Sequence, residues 1–343
     1  MFQKYSQKIR IGDKILDQYS KVYVIAEIGI NHEGSISRCK KLIRLAKKSN
    51  VDAVKIQLSN PNLNYSKNIN SYKLYKKSSL SFEDIKNIYK YAKKLKIEIF
   101  ATVDESYLNL VIKLKQKIFK VSSSLNRNIF FIEKLSKYNL PILISSGMSN
   151  FNEINQISNF LKKNTNNNKI IFMHAVSSYP PDIKSLDLER IKKIKDRFNC
   201  IVGYSDHYPG PEASIVSMMY GAKIIEKHFT DNKKRKGFDH RISSTPKELK
   251  IIIKQIRSLE KFIFINKKNK KIYDSKKIIS QKRDYILNQN LEKGQRLKKN
   301  QIESIRMGKV KSQLQIKDIL RILNKKTKRK LKKSKILKVS DFK

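Results

Sequence analysis

Two histidines stand where short apolar runs give out. Tyr204-Ser205-Asp206-His207 follows Cys200-Ile201-Val202, and Glu226-Lys227-His228 follows Ala222-Lys223-Ile224-Ile225. The chain holds only five histidines, and a single buried histidine is ordinarily a packing residue. Two placed alike, each near an acid able to orient the ring, point instead to a divalent metal held by imidazoles. Such a metal polarises a carbonyl. The other apolar runs end in the same manner. Residues 22–26 lead into Glu27, a carboxylate placed to move protons. Ala53-Val54-Lys55-Ile56-Gln57 carries Lys55 and Gln57 two apart, hence on one face of a strand. Residues 97–101 precede Thr102, and Ile118-Phe119-Lys120-Val121 precedes Ser122, Ser123 and Ser124. Residues 142–144 precede Ser145-Ser146-Gly147, and residues 170–173 precede His174, Ser177, Ser178 and Tyr179. Two lysines among a ring of hydroxyls suit a phosphorylated anion, the ammonium groups bringing charge and the hydroxyls donors. No Gly-x-Ser-x-Gly elbow and no aspartate cluster for a two-metal phosphatase is present.

The elements that must position these residues form a repeating unit. Eight apolar runs of strand length alternate mostly with helical pattern, such as residues 37–49 with Leu42, Ile43 and Ala46 on one face, and residues 82–95. Apolar strands alternating with helices predict a parallel sheet covered by helices, and eight units predict a closed (β/α)8 TIM barrel with its site at the carboxyl ends of the strands. An open doubly wound sheet is the other arrangement of such units; no Gly-x-Gly-x-x-Gly follows the first strand. Residues 8–15 alternate around Gly12-Asp13 and predict a small hairpin. Residues 247–264 predict a helix with Leu249, Ile252, Ile253, Ile256, Leu259 and Phe262 as its buried stripe. The barrel domain is thus expected over 1–264 and a polar linker over 265–276. A small module of short strands is expected over 277–343, with Ile278, Ile279, Leu297, Ile302, Ile305, Leu320, Ile322 and Leu337 as its apolar positions.

The net charge of +47 invites a nucleic-acid reading. The lysines are spread along the whole chain amid abundant Asn and Ile, and no zinc-finger spacing, basic zipper or RNA-binding aromatic motif accompanies them. No specific nucleic-acid partner is expected; the field would draw in an anionic substrate. The two cysteines form no metal pattern, no apolar run suits a signal peptide, and no stretch is long enough to span a bilayer. The expectation is a cytoplasmic protein with reduced thiols and no membrane association.

These motifs, in this order, resemble the sialic acid synthases: Ile25-Ala26-Glu27-Ile28-Gly29-Ile30-Asn31-His32, Val54-Lys55-Ile56-Gln57, Ser146-Gly147-Met148, Ser178-Tyr179-Pro180, Tyr204-Ser205-Asp206-His207, Glu226-Lys227-His228-Phe229 and Asp239-His240. Glu292-Lys293-Gly294 and Ser304-Ile305-Arg306-Met307-Gly308 resemble the antifreeze-like (SAF) domain that ends those enzymes. The resemblance implies condensation of phosphoenolpyruvate with an N-acetylated hexosamine and release of phosphate. Synthases for legionaminic and pseudaminic acids share the motifs, so the sugar stays open, and an inactive barrel serving as a basic nucleic-acid-binding protein is the remaining rival. The resemblance further implies Mn2+ or Mg2+ on His207 and His228, and a phosphoenolpyruvate site of Lys55, Thr102, Lys120, Ser123, Ser146, Ser177 and Ser205. Gln57, Tyr179, Asp239 and Arg306 would face the sugar, with Glu27, Asp239 and Tyr179 nearest the chemistry. It also implies a domain-swapped homodimer in which Arg306 serves the neighbouring chain. The chain departs from the family at Ala175, where cysteine is usual, at Ser122, where glycine or alanine is usual, and at Met307, where proline is usual.

Overall fold

The computed structural model describes residues 4–263, 281–307 and 314–343. The chain divides into two compact units, Met1–Phe264 and Ile265–Lys343. The expected linker at 265–276, and with it Ile278 and Ile279, lies outside the described residues.

In the first unit, a hairpin of β1 (Ile9–Ile11) and β2 (Lys14–Leu16) precedes eight parallel strands: β3 (Tyr23–Gly29), β4 (Ala53–Leu58), β5 (Glu98–Val103), β6 (Phe119–Val121), β7 (Ile142–Ser145), β8 (Ile170–Ala175), β9 (Val202–Asp206) and β10 (Ile224–His228). They close into a barrel in sequence order, β10 pairing back onto β3. Helices follow the strands and cover the outside. The helix Ile36–Lys48, for example, is capped by Ser35 and buries Cys39, Leu42, Ile43 and Ala46 against the sheet.

The strands alternate, and the alternation sorts their residues into two cores. Val24, Ala26, Val54 and Ile56 face the helices. Tyr23, Ile25, Ala53, Phe100, Leu143, Ile171, Met173, Ile201 and Ile224 fill the barrel, and Ile9, Ile11 and Leu16 of the hairpin join them as a plug. Gly203 belongs to the inward set: a Cβ there would meet Met173 Sδ at 2.2 Å, so the glycine leaves room for that methionine. Carried two residues further, seven of the eight inward files turn polar, the β8 file Ile171–Met173 leading instead to Ala175: Tyr23–Ile25 leads to Glu27, Ala53 to Lys55 and Gln57, and Phe100 to Thr102. Likewise Ile118 leads to Lys120, Leu143 to Ser145, Ile201 through Gly203 to Ser205 and His207, and Ile224 to Glu226 and His228.

Three expectations need adjusting. The seventh strand runs over Val202–Asp206, later than the apolar run 200–202, so that Ser205 is in the sheet itself. In the helix Pro246–Ile263, Leu259 is only partly buried and Phe262 is 71% exposed. Glu260 takes the buried place because the Val22 N–H needs an acceptor, at 2.6 Å, and Arg257 a counter-ion. The polar stretch after β4 contains two helices the periodicity did not announce, Pro61–Asn64 and Asn70–Lys77.

The second unit holds an antiparallel pair, β11 (Arg283–Leu287) and β12 (Ile302–Arg306), around a core of Leu287, Leu291, Leu297, Ile322, Leu331, Leu337 and Phe342. Of the apolar positions read from the sequence, Ile305 and Leu320 are exposed. Residues 291–302 and 331–342 are two copies of one motif. Leu291 and Leu297 match Leu331 and Leu337, Gly294 at φ +85° matches Ser334 at φ +64°, and the copies pair through reciprocal Leu291–Leu331 backbone hydrogen bonds of 2.8 Å.

Candidate active site

Register sets the polar ends of the inward files side by side. His228 pairs with Glu27, Glu27 with Lys55, Gln57 with Thr102, Thr102 with Lys120, and Glu226 with Ser205. Four charged groups converge there, all at most 3% exposed. Lys55 Nζ lies 2.5 Å from Glu27 and 3.2 Å from Glu226, and donates to Thr102 Oγ1 at 3.0 Å. Lys120 Nζ and Ser205 Oγ both donate to Glu226 Oε1, at 3.1 and 3.0 Å. Burial pushes the Glu27 carboxyl up to about 7, against the pull of Lys55. Burial pushes Lys120 down to about 8, against Glu226. Glu226 is raised by burial but held well below the ordinary range by Lys120 and Lys55 together.

The two rings stand 5.3 Å apart between centroids. His207 Nδ1–H donates to the Val176 carbonyl at 2.7 Å, which fixes the tautomer and leaves Nε2 as a free base 3.5 Å from Ser205 Oγ. His228 Nδ1 is buried without a hydrogen-bond partner, Asp239 Oδ2 being 3.6 Å away. Burial holds both rings below their usual range and so favours their neutral form. Two neighbouring neutral imidazoles, one with Nε2 free and the other with Nδ1 unpartnered among the described residues, are a donor set that fits a divalent cation. Among the described residues no three His, Cys, Asp or Glu gather to enclose one, so its other positions would fall to substrate and water. The acid beside His207 does not orient its ring: Asp206 alternates to the outer face and binds Lys227 there, at 2.8 Å.

Above these groups opens a cavity of about 270 Å³. Lys55, Gln57, Thr102, Lys120, Ser123, Ser177, Tyr179, Ser205, His207 and His228 line it. Tyr179 stacks on His207 at 4.3 Å. Ser123 Oγ accepts from Gly147 N at 3.1 Å. Ser146 stands apart: its N–H and its hydroxyl both go to the Met173 carbonyl, and its neighbour Ser145, on the inward file, lines the cavity in its place. Glu27 lies beneath Lys55, fully buried. Gly29, at φ +54°, keeps the chain clear of two carboxylates, since a Cβ there would sit 3.0 Å from Glu27 Oε1 and 3.7 Å from Asp239 Oδ2. Arg306 is an exposed residue of β12 in the second unit.

Sequence reasoning took Glu226 only as the acid near His228, two residues away on the same face, and missed its pairing with Lys55 and Lys120. It also missed Tyr75, whose hydroxyl donates to Gln57 Oε1 at 2.7 Å, and Tyr65, stacked on Tyr75 at 4.8 Å. Both tyrosines lie in the polar stretch after β4, Tyr65 at the end of the helix Pro61–Asn64 and Tyr75 in the helix Asn70–Lys77, where no periodicity marks them.

A sequence profile described as the NeuB family matches residues 42–268. An uncharacterized protein of Methanocaldococcus jannaschii is 35% identical over 94% of this chain and 95% of its own length. The N,N'-diacetyllegionaminic acid synthase of Campylobacter jejuni is 32% identical over 80% of this chain and 87% of its own. Among solved structures, the N-acetylneuraminic acid (sialic acid) synthetase of Leptospira borgpetersenii, in complex with citrate, superposes with a TM-score of 0.72 at 29% identity. It covers 77% of this chain and 93% of its own.

Proposed function

The chain belongs to the NeuB family, and on that premise we propose that it is a sugar acid synthase that joins phosphoenolpyruvate to an N-acetylated hexosamine of the N-acetylmannosamine type and releases phosphate. The observation that carries this reading is the convergence of Lys55 and Lys120 with Ser205, beside two neutral histidines, at the mouth of the barrel. The lysines, with Thr102, Ser123 and Ser177, receive the phosphate and carboxylate. Lys120, drawn down to about 8 by burial, regains its full charge beside an incoming dianion. His207 and His228 would hold Mn2+ or Mg2+, which when bound supplies polarisation of the sugar aldehyde. Glu27, with a carboxyl near 7, exchanges a proton at neutral pH and gives it to the aldehyde oxygen as carbon 3 of phosphoenolpyruvate attacks. Water adds to carbon 2 and returns one proton to the Glu27 carboxylate; the bond from carbon 2 to the bridging oxygen then breaks, phosphate leaving with that oxygen and the remaining hydroxyl proton as carbon 2 becomes a ketone. Gln57, Tyr179 and Asp239 orient the sugar.

The likeness to the Campylobacter enzyme favours a second reading, in which the sugar is a diacetamido-trideoxyhexose. We assign the second unit as an SAF domain and place Arg306 at the site of the neighbouring chain in a homodimer. Mixing Glu27→Ala with Arg306→Ala chains tests that assignment, because only a shared site regains activity. The deciding experiment is phosphate release from phosphoenolpyruvate against a panel of N-acetylated hexosamines and their diacetamido-trideoxy analogues, after chelation and again with Mn2+ or Mg2+ restored. No release with any sugar would sink the reading; the sugar that gives the highest kcat/KM chooses between its two forms.

A further inference from the structure

The loop that follows β10 carries Asp239 to the mouth, and two sets of contacts from the loop after β3 hold it. The first grips Asp239 itself. Asn31 Oδ1 accepts from Asp239 N at 3.1 Å, and Asn31 Nδ2 donates to the Phe229 carbonyl and to Ser243 Oγ. Ser243 Oγ in turn donates to the Asp239 carbonyl at 2.6 Å. The second set centres on Glu33. Arg235 donates to both its oxygens, from Nε at 2.7 Å and from Nη2 at 3.0 Å, in the forked geometry that fixes a carboxylate in orientation as well as distance. His240 Nε2–H donates to Glu33 Oε1 at 2.9 Å, while Nδ1 faces Thr230 Oγ1 at 2.8 Å. Arg38 stands 3.5 Å from the same carboxylate and also reaches Asp231 at 3.0 Å.

His240 is the residue next to Asp239 and is fully buried between Thr230 and Glu33. Moving its ring would move the Asp239 backbone. Glu33 pairs with Arg235 and His240 of this loop and lies near Arg38 of the helix Ile36–Lys48, and none of these three lines the cavity, so its contacts bear on the loop and leave the phosphate-binding lysines alone.

We infer that Glu33 is a positioning residue for the sugar half of the reaction: by clamping Arg235 and His240 it holds the 229–245 loop so that Asp239 stands against His228. The inference rests on the proposed condensation for its kinetic consequence and on geometry for its structural one. The test compares Glu33→Ala, Glu33→Gln and Arg235→Ala with the unaltered protein, by steady-state kinetics in both substrates and by amide hydrogen exchange across 229–245. Misplacement by an ångström costs on the order of a hundredfold, so Glu33→Ala should lose roughly 10- to 100-fold in kcat/KM for the sugar while KM for phosphoenolpyruvate holds. Glu33→Gln, which keeps the shape, should fall between, and exchange in the loop should quicken in all three. Unaltered sugar kinetics in Glu33→Ala, or equal losses for both substrates, would overturn the inference. If the unaltered protein condenses no amino sugar, the functional reading fails, and exchange then decides alone: faster exchange upholds the clamp, unchanged exchange overturns it.

Discussion

Strands β9 and β10 bear a buried, lysine-paired carboxylate on each face, Asp206 outside with Lys227 of β10 and Glu226 inside with Lys55 of β4 and Lys120 of β6, and the two groups differ in one respect. On the outer face Lys227 Nζ donates to Asp206 at 2.8 Å, to the Tyr208 carbonyl and to the Gly210 carbonyl at 3.0 Å, while Ser214 donates to the same carboxylate. Each of the ammonium's three protons has an acceptor. On the inner face, among the described residues, Lys120 donates to Glu226 alone, and Glu226 Oε2, Glu27 Oε1 and His228 Nδ1 have no hydrogen-bond partner although all are buried. A buried polar atom left unmatched costs on the order of 1–3 kcal/mol, and three of them meet within one cluster. The outer group is complete as it stands; the inner group is shaped for something that arrives. A lysine's neighbours, more than its burial, tell a structural lysine from a binding one.

The sharpest test of that contrast is on the histidines. His207→Ala and His228→Ala should each remove metal-assisted polarisation, worth several kcal/mol and hence on the order of a thousandfold in turnover. Melting temperature without metal should hardly move, and added Mn2+ should no longer raise it. Full turnover in chelated protein would break the comparison at its root. Next in size is Lys227→Met, which strips a buried carboxylate of its partner and should cost about 3–5 kcal/mol of stability by denaturant titration. Turnover per folded molecule should stay the same, and a selective loss of turnover would show that the outer face takes part in chemistry.

Lys120→Met inverts that pattern. The loss of a charged hydrogen bond should weaken phosphoenolpyruvate binding by about 1.5–3 kcal/mol in calorimetry, with sugar binding unaffected. Equal weakening of both ligands would mean that the lysine shapes the whole mouth. The smallest effect concerns pH. Glu33 is drawn down to about 2, chiefly by its hydrogen bond from Arg235, whereas an unfolded glutamate titrates near about 4.3. A folded pKa below the unfolded one gives stability that is present above about 4.3 and lost as pH falls from there toward 2. Acid titrations of unaltered protein and Glu33→Gln should therefore run parallel at neutral pH and converge below pH 4. Parallel curves throughout would show that the pairing adds nothing; the carboxylate is partly exposed, so the gap will be modest.

Much of the barrel was legible because its strands are buried on both faces and so read as unbroken apolar runs between helices. Alternation, applied to Lys55 and Gln57, was not carried round the other strands. Counting by twos from Ile201 and Ile224 puts Ser205, His207, Glu226 and His228 inside and sends Asp206 out; counting from Leu143 selects Ser145 over Ser146. What no count could supply is contact across the fold: the Val176 carbonyl that sets the His207 tautomer, the phenol of Tyr75 on Gln57, or Glu260 taking a buried place in preference to Phe262. Those depend on a loop or a helix end meeting a strand far away in sequence, and the residues involved are ordinary in type.

The hairpin plug has a consequence for traffic. Ile9, Ile11 and Leu16 seal the floor, each 1% exposed, so whatever enters the barrel leaves by the doorway it came through. Along that passage Lys55 and Lys120 lie deep, at 2% and 3% exposed, while Tyr179 stands at the threshold at 53%. A dead-end passage with one anchorage behind another imposes a queue. On the proposed reading, a ligand of the inner lysines would have to be seated before a ligand of the outer wall blocked the way, and a fragment shed at the lysines would wait until the outer occupant had moved aside.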